Sequence, residues 1–84
     1  MDKMDENFEW FKKNHKELYT LYPNKYIVIV DKIVVGNFAN MEDAFKFAMR
    51  NHENDVFNIL HCTQNVVYNN IKINTYILGL WEKT

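Results

Sequence analysis

The 84-residue sequence is poor in the residues that punctuate or cross-link a chain, with one cysteine, one proline and two glycines. A single cysteine excludes an intrachain disulfide and most zinc sites. So few glycines and prolines argue against Gly-rich phosphate-binding loops and against disorder. Ten basic residues balance eleven acidic ones, so the net charge is −1. The sequence therefore lacks the basic surface that a dedicated nucleic-acid or anionic-membrane binder needs.

Long apolar runs are also missing. The longest, residues 26–30 and 76–81, are far shorter than the roughly 20 residues that a membrane-spanning helix needs. The polar, acidic residues 1–7 show no secretory signal. We therefore predict a cytoplasmic protein with no membrane partner, no nucleic-acid partner and no cofactor.

Apolar side chains are plentiful, at 48% of the residues, and 15% are aromatic. This content suffices for one packed core, and the length allows one domain, residues 1–84. A first helix is predicted from an N-cap at Asp5 to a stop at Pro23. Its apolar stripe is Phe8, Phe11, His15, Leu18, Tyr19 and Tyr22.

Two β-branched runs, residues 26–30 and 33–38, are separated only by Asp31-Lys32. Such a pair predicts a β-hairpin with a two-residue type I′ turn. That turn prefers glycine at its second position, so Lys32 would cost about 1–2 kcal/mol there. A lone glycine in a strand, here Gly36, more often marks a bulge or a close backbone approach than a phosphate site.

A second helix should begin at Asn40, with Asp43 completing a capping-box-like pair. Its stripe is Met41, Ala44, Phe45, Ala48, Met49 and His52. A strand over residues 56–62, a polar loop over 63–70 and a strand over 71–81 complete the order α-β-β-α-β-β. We predict a two-layer α+β fold, in which both helices cover one face of a mostly antiparallel four-stranded sheet.

Most of the predicted strands are apolar at both odd and even positions. A sheet with one solvated face alternates instead. With both helices on one face, the other face would need a second cover. A second copy of the chain is the simplest one, so we predict a homo-oligomer.

Several segments resemble a short prokaryotic domain family of unknown function. They are Trp10-Phe11, Leu18, Tyr22-Pro23-x-Lys25-Tyr26-Ile27, Val30-Asp31 and Val34-Val35-Gly36. That family has an aromatic-rich helix, then Tyr-Pro-x-Lys-Tyr-Val-Ala, a hydrophobic residue, Val-Asp and Val-Val-Gly. The resemblance covers residues 8–62 and departs at Lys32, where the family tends to have glycine, and at Ile27-Val28. It implies the hairpin fold and transfers no catalytic or binding residue.

The reactive side chains do not form a recognisable catalytic or metal-binding pattern. His61 and Cys62 are neighbours in a strand, so they point to opposite faces and cannot act as base and nucleophile. His15, His52, His61 and Cys62 lack metal-ligand spacing. We predict that Cys62 is a small buried hydrophobe, that His15 is a core histidine with one partner, and that the protein is not an enzyme.

Three apolar residues lie off the helix stripes, so we predict that they do not share the main helix–sheet interface. Trp10 falls about 120° from the centre of the first stripe, and Leu21 lies close to Trp10 around the helix. Phe47 falls about 130° from the centre of the second stripe. We predict these three as candidate protein-contact residues, because exposed aromatics dominate interface hot spots. The alternative is that Trp10 and Phe47 pack against loops or against the C-terminal strand. The leading interpretation is a non-enzymatic protein-binding module. The alternative is a phage- or mobile-element-encoded inhibitor of a host defence system, similar to an anti-CRISPR protein, and a small Cys/His enzyme ranks last.

Overall fold

The computed structural model describes residues 2–64. These residues form α1 (Lys3–Lys13), α2 (His15–Leu21), β1 (Lys25–Val30), β2 (Ile33–Phe38), α3 (Met41–His52) and β3 (Phe57–Cys62). The α+β class is confirmed, with three helices and a three-stranded antiparallel sheet in this part of the chain. The predicted strand 71–81 lies outside the described residues, as does all but the start of the predicted loop 63–70.

The sheet has the order β2-β1-β3, and β1 is antiparallel to both of its neighbours. The central position of β1 explains its sequence. Ile27, Val28 and Ile29 are all fully buried although successive side chains point to opposite faces. Both faces of this strand are therefore covered within one copy of the chain.

The helices lie on opposite faces of the sheet. On one face, Ala44 and Ala48 of α3 pack on residues of β1 and β3, namely Val28, Val30, Phe57 and Ile59. On the other face, Phe11 of α1 and Leu18 of α2 pack on residues of opposite parity, namely Ile27, Ile29, Leu60 and Cys62. The predicted two-layer arrangement with both helices on one face is therefore wrong.

This arrangement also removes the argument for a homo-oligomer. The prediction of a second copy depends on one apolar face of the sheet staying open. In the structure, α1 and α2 cover one face of β1 and β3, and α3 covers the other. The apolar residues at both odd and even positions of β1 therefore indicate that helices cover both faces of the sheet.

The first predicted helix is two helices, and it starts earlier than expected. Asp2, not Asp5, is the N-cap of α1, and its carboxylate accepts a hydrogen bond from the Asp5 backbone N–H at 2.8 Å. Asn14 separates α1 from α2, and its side-chain amide donates to the Trp10 carbonyl at 2.9 Å. An asparagine competes for backbone hydrogen bonds in this way, which favours a helix boundary. The predicted Asn40 cap of α3 is confirmed, since its side chain accepts from the Asp43 N–H at 2.8 Å.

The hairpin turn has the predicted geometry. Asp31 and Lys32 have φ angles of 50° and 61°, as a type I′ turn requires at both central positions. The Lys32 N–H donates to the Asn7 side-chain oxygen at 2.9 Å. A residue of α1 thus holds a turn whose own sequence has no glycine.

The second strand of the hairpin contains a β-bulge. Val28 pairs with Gly36 and Ile29 pairs with Val34, so Val35 is an extra residue in β2. A Cβ on Gly36 would lie 2.9 Å from the Phe38 ring, closer than real Cβ contacts. Gly36 therefore marks both a bulge and a close approach.

We expect Lys32→Gly to stabilise the protein by a few tenths to about 1 kcal/mol. Glycine relieves about 1–2 kcal/mol of left-handed strain, and the added freedom of the unfolded chain opposes this gain by about 0.4–1 kcal/mol. The Asn7 hydrogen bond is to the backbone, so it is retained. Urea melts of the two proteins measure the difference, and a lower midpoint for the variant would contradict the strain argument.

Candidate functional site

The two helical layers do not cover the sheet equally. On one face, α3 packs against all three strands, whereas α1 and α2 pack mainly against β3. On the face that α1 and α2 cover, the part formed by β2 is therefore less covered by helix. Val34, which lies on that half, is only half-buried.

An open groove of about 690 Å³ lies between α1 and the hairpin turn. One face of α1 contributes most of its lining, and Lys32 of the turn contributes the opposite side. The lining residues are Glu6, Glu9, Trp10, Lys12, Lys13 and Lys32. We call this feature the Trp10 groove, because Trp10 supplies its one aromatic side chain.

Trp10 connects the groove to the core. Its side chain is half-buried and packs against the cluster that contains Phe11 and Leu18. It also lines the groove, so one part of the indole contacts the core and another part is accessible. Trp10 is therefore anchored by the helix–sheet core, contrary to the prediction that it lies outside that interface, and part of its apolar surface remains accessible.

The charged groups around Trp10 are partly neutralised by one another. Glu9 pairs with Lys12 at 2.8 Å, and Glu6 pairs with Lys32 at 4.0 Å. Lys12 also lies 5.0 Å from the centre of the Phe8 ring. Lys13 is exposed and makes no ion pair with any residue that the structure describes. Counted over residues 2–64, the groove thus combines the indole of Trp10, two ion pairs and one ammonium group without a carboxylate.

The other predicted contact residues lie elsewhere. Leu21 is 67% exposed at the end of α2, and it does not line the groove. Ile33, which follows the groove residue Lys32 directly, is 60% exposed. Sequence reasoning missed Ile33, because it reads as an ordinary member of an apolar strand.

Phe47 packs against the sheet, so the prediction that it cannot share the helix–sheet interface is wrong. Its ring lies 5.1 Å from the ring of Phe38, and it approaches the backbone of Gly36. The buried centre of α3 is formed by Ala44 and Ala48. Relative to that centre Phe47 lies only about 80° away, at 100° per residue. Small alanines let the helix approach the sheet closely, and larger side chains fill the space beside them.

The geometry around Cys62 matches its predicted role as a small buried hydrophobe. Cys62 is fully buried and packs with Phe11 and Leu18. Its neighbour His61 belongs to the other side of the strand, where its ring stacks on Tyr26 with centroids 4.1 Å apart. Burial raises the pKa of the Cys62 thiol above its ordinary value. This is the opposite of the shift that activates a nucleophilic cysteine.

We expect Cys62 to react with iodoacetamide at least about tenfold more slowly in the folded protein than in urea, because reaction requires opening of the core. The raised pKa also means that the folded chain holds the thiol proton more tightly than the unfolded chain. The contribution of this group to stability is therefore complete below the unfolded-state pKa and falls as pH rises through the alkaline range. Mass spectrometry of timed reactions measures the rates, and equal rates in the two states would contradict burial.

The histidines have structural partners. His15 is half-buried, its Nε2 contacts the carbonyl oxygen of Thr63, and its ring packs against Phe11. The predicted single polar partner of His15 is thus present. His52 pairs with Asp55 at 2.9 Å, just after the end of α3. Within residues 2–64, no three His, Cys, Asp or Glu side chains converge as a metal site would require.

No helix in the described part of the chain is long and apolar enough to cross a membrane. Comparisons with protein-family models, with curated proteins and with solved structures find no match. The resemblance to the short prokaryotic family stays a prediction.

Proposed function

We propose that this protein is a small non-enzymatic protein-binding module that contacts its partner through the Trp10 groove. The observation that carries the proposal is the position of Trp10. Its indole is anchored against the Phe11 cluster and at the same time lines an open groove of about 690 Å³. Tryptophan is the residue type most enriched among interface hot spots, and the strongest hot spots are held rigidly by their own fold.

The surroundings of the groove support the same proposal. The Glu9–Lys12 and Glu6–Lys32 ion pairs beside Trp10 are partly exposed. In protein interfaces, polar groups of this kind surround an apolar centre. Ile33 adds apolar surface next to Lys32. In addition, β2 is an edge strand among the described residues, and no described strand pairs with its outer side. A partner can therefore use side-chain and backbone contacts beside the same groove.

We favour a partner of different sequence over a second copy of the chain. Self-association is predicted from an uncovered sheet face, whereas each face of the described sheet carries a helix. We therefore propose a protein partner, with the Trp10 groove as its contact surface.

A random peptide library displayed on phage tests this function. Peptides selected on the wild-type protein should lose at least about tenfold in affinity for Trp10→Ala, because hot-spot truncation costs 2 kcal/mol or more. Leu21→Ala is the matched control, since Leu21 is exposed but lies outside the groove. Fluorescence polarisation measures both affinities.

Trp10 also packs on the core, so the fold of the variant must be checked. Circular dichroism and the NMR spectrum of Trp10→Phe, which keeps an aromatic ring, separate a lost contact from a lost fold. Selected peptides that bind wild type and a folded Trp10→Ala equally well would contradict the groove as the binding surface.

A further inference from the structure

The charges around the Trp10 groove indicate which kind of partner it takes. Three lysines and two glutamates line the groove, so its net charge is +1. Each glutamate already has a lysine partner, Glu9 with Lys12 and Glu6 with Lys32. Lys13 has no such partner among the residues that the structure describes. A basic group entering the groove would have to break an existing pair, whereas an acidic group finds a free ammonium.

We propose that the Trp10 groove binds an acidic peptide segment of a partner protein, in which a large apolar side chain packs on Trp10 and a neighbouring carboxylate pairs with Lys13. This inference rests on the proposed function and adds the chemistry of the partner to it. Trp10 and Lys13 are three residues apart on α1, and side chains at that spacing lie on the same face of a helix. One short segment can therefore reach both groups.

The two contacts have different roles. Burial of an apolar side chain against the indole supplies most of the affinity. The carboxylate–Lys13 pair is exposed and contributes a factor of about two to five in affinity. Its main effect is selection, because like charges placed together disfavour basic partners.

Three phage-displayed libraries of nine-residue peptides test the inference. Every peptide has Leu, Phe or Trp at its central position. The two positions that flank the centre hold Asp or Glu in the acidic library, Asn or Gln in the amide library, and Lys or Arg in the basic library. All remaining positions are Gly or Ser. Recovery is measured at low salt and again at about 1 M salt, where the Debye length is about 3 Å.

We expect the wild-type protein to bind peptides of the acidic library about two- to fivefold more tightly than those of the amide library, with the preference lost at high salt. Lys13→Glu should reverse the order and favour the basic library. Lys16→Glu is the matched control, because Lys16 is also exposed and without an ion pair to a described residue, but it does not line the groove. That variant changes the net charge equally and should keep the wild-type order.

The outcomes separate this inference from the function on which it rests. Equal recovery of all three libraries, with binding still dependent on Trp10, overturns the acidic preference and leaves the binding function in place. If Lys16→Glu reverses the preference as fully as Lys13→Glu does, the preference comes from the net charge of the protein. That result also overturns the inference. Recovery of no peptide from any library contradicts both proposals.

Discussion

Phe11→Ala should destabilise the protein by about 3–5 kcal/mol, the range for large aromatic truncations in a core. Phe11 is fully buried at the centre of the α1–α2 face, where it packs with Leu18, Ile27 and Leu60. The truncation removes apolar contacts and leaves a cavity that β1 and β3 cannot close without distorting the sheet. For a small domain this loss is a large fraction of the total stability.

Urea unfolding measured by circular dichroism gives the free energies. Phe45→Ala is the matched control on the opposite face of the sheet. Phe45 is half-buried, so its truncation exposes less new surface and should cost clearly less than that of Phe11. Both residues belong to the predicted apolar stripes, and the difference in their burial separates the expected costs. Equal losses in the two variants would show that the Phe11 side of the sheet packs no more tightly than the edge of α3.

Local sequence signals predicted local structure well. The Asp31-Lys32 turn with positive φ, the Asn40 cap and the residues of β2 follow from short-range sterics and hydrogen bonding. The same kind of reasoning placed the cap of the first helix at Asp5, although Asp2 is the cap. Both residues are good caps, and the preference between them depends on how far α1 packs along the sheet.

The placement of the helices could not be predicted from their own patterns. An amphipathic stripe shows that a helix packs on something, but it does not show on which face of the sheet. The two-sided apolar pattern of β1 held that information, since Ile27 and Val28 both needed a cover. We assigned the second cover to another copy of the chain. Asn14, which divides the first helix and lets α2 turn over β3, was the signal that we missed.

The candidate site was predicted only in part. Trp10 was singled out by its position off the stripe, and it lines the groove. Its role as a contact residue stays a prediction. Phe47 was singled out by the same argument and packs on Phe38. The angle of Phe47 was taken from the mean of the apolar residues, whereas the buried centre of α3 is formed by its alanines. The opposite side of the groove is supplied by Lys32, which only the tertiary fold brings to α1.

A buried pair of asparagines joins three parts of the fold, and it leads to the second large effect. The Asn7 side-chain nitrogen donates to the Asn58 side-chain oxygen at 3.0 Å, and Asn58 donates to the Met4 carbonyl at 3.1 Å. Asn7 also accepts from the Lys32 N–H. Both side chains are essentially inaccessible to solvent. Asparagine is usually exposed, so the sequence did not predict this pair.

We expect Asn7→Ala to cost about 2–4 kcal/mol. The substitution leaves the Asn58 oxygen buried without its donor, and each such orphaned group costs about 1–3 kcal/mol. It also removes the acceptor for the Lys32 N–H, so the glycine-free turn loses its link to α1. Asn37→Ala is the matched control, because Asn37 is exposed on β2 and a surface change of this kind stays within about 0.5 kcal/mol.

A double-mutant cycle distinguishes the Asn7–Asn58 interaction from two separate losses. Asn58→Ala alone should also be destabilising, because the Asn7 side-chain nitrogen then keeps only its longer bond to the Ile29 carbonyl, at 3.4 Å, and the Met4 carbonyl loses a side-chain donor. When both side chains are removed, no buried asparagine remains whose partner is missing. The double variant should therefore cost about 0.5–3 kcal/mol less than the sum of the single variants. Additive costs in urea melts would mean that the two amides act independently, and that α1 is held to the hairpin and to β3 by apolar packing alone.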